Sequence, residues 1–156
     1  MDILFEQRLV QNSALSVQIL YTVINTFFLE KNKTQGLEFP LAFVVLPLIY
    51  QKKIVNSFYN RRGRGMLYRT VIEKPELFIG FQSRMEIYFE QTMIAISLGL
   101  NSETLKLSDG ILYPKSNMRI KEPEDLKQMF NSARRLGRSF AESNIKEISQ
   151  FLKIVF

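Results

Sequence analysis

The chain has 156 residues, 46% hydrophobic and 12% aromatic, which is enough apolar material for one domain with its own core and too little length for a second full one. It holds no cysteine, histidine or tryptophan, so disulfides, thiolate nucleophiles, imidazole bases and the usual zinc ligands are excluded together. The net charge is +6, and Lys52, Lys53, Arg61, Arg62, Arg64 and Arg69 account for all of it, since the other basic and acidic side chains balance at 15 each.

At the N-terminus, Asp2 and Glu6 stand where a signal peptide would place cations, and no small-residue cleavage site follows. The longest apolar run, Leu41 to Tyr50, is too short to span a bilayer. A cytoplasmic protein without a membrane partner is expected. Asn12 or Ser13 can cap a helix in which Leu15, Ile19, Leu20, Val23, Ile24, Phe27 and Phe28 form one broad apolar face, ending near Lys31 and Asn32. That face suits the core, and it is also apolar enough to bury part of itself on a partner. Gly36 breaks the chain.

Next comes FPLAFVVLPLIY, from Phe39 to Tyr50. Pro40 fits the first turn of a second helix running to about Ser57, and Pro47 inside it removes a backbone donor and is expected to bend it. A buried strand is the competing reading, and the two prolines count against it. The basic stretch follows directly and continues through NRRGRG, Asn60 to Gly65, where two glycines and clustered like charges predict an exposed loop. Such a loop serves solubility, nucleic acid or an acidic protein surface. Arginine's fork geometry favours phosphate or carboxylate.

Met66 to Glu73 reads as a short helix stopped at Lys74-Pro75. Helical periodicity resumes beyond Pro75, with Met85, Phe89, Met93 and Ile96 on one row and Ile87, Ile94 and Leu98 on another, and Gly99 is placed to end it. Thr104 to Leu107, the turn Ser108-Asp109-Gly110 and Ile111 to Pro114 predict a β-hairpin. The expected fold is therefore mainly α with one small β-hairpin, a winged-helix-like single domain over residues 1–156 with extra N- and C-terminal helices and a wing at about 104–114. A stand-alone winged-helix DNA-binding transcriptional regulator is one function for such a body. Against it, the helix over 85–98 offers Glu86, Glu90, Gln91 and Thr92 to a DNA groove, and its two carboxylates would repel phosphates.

Glu122-Pro123-Glu124-Asp125 starts a late helix whose stripe is Leu126, Met129, Phe130, Ala133, Leu136 and Phe140. Arg134, Arg135 and Arg138 gather on its flank, as a solvated face or a subunit interface. A last helix, Ile145 to Leu152, can fold Ile148, Phe151 and Leu152 back on the domain. Nowhere is there an Asp or Glu cluster, a Gly-rich phosphate loop or a serine framed as a nucleophile elbow, so neither catalysis nor a cofactor is expected.

Taken in order, Asn12-Ser13-Ala14 opening an apolar helix, FPLAFVVLPLIYQKK, LFIGFQSRMEIYFEQTMIAISLGL, the hairpin and ARRLGRSFAESNIKEISQFLKIVF are similar to the small middle component of bacterial three-component ABC systems. The family's proline, second internal proline and lysine correspond to Pro40, Pro47 and Lys52. Its Arg-Leu-Gly-Arg pattern corresponds to Arg135, Leu136, Gly137 and Arg138, with Ser139 where an aromatic is common. Glu142-Ser143-Asn144-Ile145 replaces the family's usual Gly-Ser-Pro-Ala. The resemblance implies an accessory subunit without chemistry of its own, encoded beside an SMC or Rad50-like ABC ATPase and an effector, often a nuclease, as in Lamassu defence against phage or plasmids. It would bridge the two while its basic loop rests non-specifically on double-stranded DNA.

Overall fold

A computed structural model of the chain describes residues 12–61 and 63–156. Arg62, one of the six expected contact residues, lies outside the described residues, as do Asp2 and Glu6.

The core is built around helix α1 (Ser13–Glu30), which Asn12 caps by accepting the Leu15 N–H at 3.0 Å. Instead of one broad face, α1 buries residues on nearly every side: Leu15, Val17, Ile19, Leu20, Tyr21, Val23, Ile24 and Phe27 are all in the core. It is the central helix, with neighbours all round. Two residues in the left-handed region, Asn32 (φ 55) and Lys33 (φ 61), end its path.

Strand β1 (Leu37–Glu38) follows, then a 3-10 turn at Phe39–Leu41 with Pro40 in its first turn, and helix α2 (Ala42–Ile49). Every residue of α2 is buried. The expected single helix bent at Pro47 is in fact two helices, because α2 runs through Pro47 to Ile49 and the chain turns by 97° before α3 (Lys52–Tyr59). The break falls where polarity changes. Gln51 is extended (φ −108, ψ 111), and the turn lets Lys52 and Lys53 face water while Ile54, Val55 and Phe58 pack inward.

Helix α4 (Met66–Glu73) and a 3-10 turn (Pro75–Phe78) lead to α5 (Phe81–Ile87) and α6 (Phe89–Asn101), separated only by Tyr88. Gly99 does not end α6; it lies two residues inside, where an added Cβ would come within 2.6 Å of Leu105. The hairpin is β2 (Leu105–Ser108) and β3 (Ile111–Pro114), turning through Asp109 (φ 51) and Gly110 (φ 75), the positive pair that a two-residue turn with matching strand twist requires. A third strand joins the expected hairpin: β1 pairs antiparallel with β3, Leu37 opposite Leu112, so the sheet order is β1-β3-β2.

After a 3-10 turn (Glu124–Leu126), α7 (Lys127–Ala141) packs its stripe of Met129, Phe130, Ala133, Leu136 and Phe140 along α1. Gly137 makes the crossing close, for a Cβ there would stand 2.7 Å from the Val23 carbonyl oxygen and 2.9 Å from Thr26 Cβ. Helix α8 (Ile145–Leu152), capped by Asn144, buries Ile148 and Leu152.

Candidate functional site

The basic residues separate into distinct settings. Lys52 and Lys53 are exposed on the first turn of α3. The positive end of the helix dipole adds to their field, and no acidic residue in that turn offsets it.

At the other end of α3, Arg61 is folded back, with its side chain only 16% exposed and paired to Glu73 of α4 at 2.5 Å. That hydrogen bond, helped by the charges of Arg61, Arg69 and Lys74, holds the Glu73 carboxyl below its ordinary range. Arg69 is half-buried on α4. Gly63 and Arg64 are exposed at the loop tip, where the sequence predicted exposure.

The flank of α7 turns towards this loop. Arg61, Arg64, Arg135 and Arg138 line one concavity of about 390 Å³, four guanidinium groups against one carboxylate, Glu142. Two basic sets that stand some seventy residues apart in sequence thus meet in space. Their duties differ. Arg135 donates to the carbonyls of Phe58, at 2.5 Å, and of Tyr59, and lies 5.5 Å from the Tyr59 ring centroid, so it closes the C-terminal end of α3. Arg138 is 53% exposed and reaches Glu30 of α1 only at 3.5 Å, which leaves it available to a ligand. Arg134 lies outside the concavity and is engaged within the fold, gripping both oxygens of Glu122 at 2.5 and 3.2 Å and the side-chain Oδ1 of Asn131.

The N-terminus of α4 forms one wall. Gly65 caps it in the left-handed conformation (φ 70), and two of the orphan N–H groups at that end are met from the C-terminal end of α7 and its cap: Glu142 Oε2 accepts from Gly65 at 2.7 Å and Ser139 Oγ from Leu67 at 3.1 Å. Ser139, where the resemblance has an aromatic, thus serves as a cap delivered from another helix. Glu73 and Glu142 stand four residues after Arg69 and Arg138, a helical spacing that marks them as neighbours of those two arginines; the pairing of Glu73 with Arg61 and of Glu142 with the Gly65 N–H depends on the fold.

A second surface is apolar. On α5 and α6, Ile87 is 76% exposed and Phe89 55%, and Met93, Ile94 and Leu98 are also in water; of the two rows expected to pack, only Met85 and Ile96 are buried. Phe89 and Met93 border a groove of about 700 Å³ that also meets Phe39, Phe43 and the tail after α8. The sequence does carry a signal for this. Helix α6 has apolar residues on three sides, and a helix touching a core on one side cannot bury all of them.

Among the described residues no group of three or more His, Cys, Asp or Glu could hold a metal, and no single helix is long and apolar enough to cross a membrane.

The family ABC-three component (ABC-3C) system Middle Component 3 matches residues 2–156. The chain belongs to this family. No curated protein and no solved structure matches it. For this Middle Component 3 chain, membership implies partnership with the other components of an ABC three-component system. Its Arg135 to Ser139 string, read as a motif in the sequence, resolves into separate tasks: a cap on α3, a core leucine, a close helix crossing, an exposed cation and a cap on α4.

Proposed function

We propose that this chain is a non-catalytic accessory subunit that bridges an SMC-like ABC ATPase and an effector, a nuclease, in a Lamassu-like complex defending against phage or plasmid DNA. The observation that carries the reading is the convergence of Arg64 and Arg138, both exposed, beside Arg61 and Arg135 in one basic concavity. The two exposed guanidinium groups, Arg64 and Arg138, suit a phosphate backbone, held non-specifically. The chemistry of bond-breaking belongs to other subunits on this reading.

The order helix, β1, helices, hairpin, with strands β1-β3-β2, supports reading the body as winged-helix-like and suited to interaction. No observation favours a stand-alone transcriptional regulator. The exposed polar positions of α6 are Glu90, Ser97 and Asn101, a poor set for phosphate or guanine.

Affinity purification on the ATPase, after co-expression with the neighbouring components, should retain this chain; its absence from the eluate counts against bridging. With the assembly bound to duplex of arbitrary sequence, Arg64→Ala combined with Arg138→Ala should reduce the log-log salt slope by about 1.8, if each arginine touches one phosphate. Arg135→Ala should leave the slope unchanged. An unaltered slope in the double variant removes DNA from this surface.

A further inference from the structure

The apolar groove is preformed. Phe43 stacks on Phe89 with centroids 5.1 Å apart and planes at 19°, and Phe39 meets Phe43 edge-on at 5.2 Å. Its far wall, the tail after α8, is held by the buried Ile154 and by Gln82, which accepts the Val155 N–H at 2.8 Å and donates to the Val155 carbonyl at 3.2 Å, as a neighbouring strand would. Phe89 is 55% exposed and Phe156 45%, so the groove opens along the surface and does not enclose a small molecule. Met85 and Met93 add unbranched, polarizable side chains that adjust to an apolar surface.

Its charge is opposite to that of the chain. Among the described residues lining it, Glu86 is the one ionisable side chain and none is a cation; Glu90, four residues on, is also exposed. A second copy of this chain is a poor occupant, because a two-fold pairing through the groove would bring Glu86 towards Glu86. An aromatic floor, pliable methionines and an acidic rim match an amphipathic helix with apolar anchors and a lysine or arginine along its edge.

We infer that this groove is the docking site for a basic-edged amphipathic helix of a partner component, which deepens and rests on the bridging reading above. The basic concavity and the groove share no lining residue, so one chain can hold polyanion and partner helix at once.

The test uses the full chain co-expressed with the other components of its system. Phe89→Asp should weaken assembly at least tenfold. Glu86→Lys should weaken it at least fivefold at low salt and abolish the loss of affinity that added salt causes in the unmutated complex. Ile94→Asp, on the other side of α6 and equally in water, should assemble as the unmutated chain does. If Phe89→Asp loses the Phe43 stack and fails to fold, Glu86→Lys, at an exposed position outside the core, still decides the matter. Assembly of both groove variants at unmutated strength overturns the inference, and so does an unmutated homodimer that Phe89→Asp makes monomeric. Failure of the unmutated chain to assemble sinks the bridging reading itself, and is told apart because it needs no variant.

Discussion

Replacing Gly137 by alanine should destabilise the protein although it improves helix propensity. In an open helix the change is favourable by about 1 kcal/mol. Here the new Cβ would lie 2.7 Å from the Val23 carbonyl oxygen and 2.9 Å from Thr26 Cβ, short of ordinary contact by roughly 0.7 and 0.5 Å. The first of these neighbours is backbone of the central helix and cannot rotate away, so α1 and α7 must part along their whole contact. Overpacking of this kind costs about 1–3 kcal/mol. With two such contacts the upper end applies, and the net loss is about 2 kcal/mol, or a fall in Tm of about 4–8 °C for a chain of this size. Thermal unfolding followed by circular dichroism, with urea unfolding to check that the slope m is unchanged, measures it. An unchanged or raised Tm would refute the claim that this glycine exists to bring the two helices together.

Arg135→Lys should cost about 1.5–3 kcal/mol in the same assay, since a lysine cannot span the Phe58 and Tyr59 carbonyls while lying over the Tyr59 ring; a neutral result would free Arg135 from its capping role. Because Glu73 has its carboxyl depressed in the folded state, its contribution is present above the ordinary carboxylate value of 4.5 and lost as pH falls through the folded value. The stability difference between the unmutated chain and Glu73→Gln should therefore be constant near neutrality and vanish in acid, and a difference independent of pH would contradict the Arg61 pairing. Tyr50 titrates the other way: at 5% exposure its burial resists ionisation and outweighs the opposing effect of its 2.7 Å hydrogen bond with Ser16, so stability is full below about pH 10 and declines above it. Phenolate absorbance should include a late step that is completed only as the chain unfolds, and Tyr50→Phe should remove it.

Helix existence was legible wherever punctuation was local. Asn12 caps α1, the Lys74-Pro75 pair stops α4 after Glu73, and Asp109-Gly110 turns the hairpin, each through chemistry contained in a few neighbouring residues. What depended on distant partners was not legible. Leu37 and Glu38 are too short to read as a strand, and they become one only because β3 offers an edge. Pro47 signalled a bend that falls instead at Gln51, since the burial of all of α2 and the solvation of Lys52 and Lys53 decide where the chain turns. The basic loop was evident as a run of like charges. That Arg61 would be drawn back onto Glu73, and that Arg138 from a late helix would join Arg64, needed the fold. Phe89 and Met93 looked like core because periodicity places them on a stripe, and periodicity does not count how much core there is to receive them.

The most direct measurement is the native mass of the three co-expressed components, taken with this chain and again with its gene left out. With it, ATPase, effector and this chain should appear in one assembly; without it, the ATPase and the effector should separate. An ATPase and effector that remain together in its absence would show that it is not the bridge.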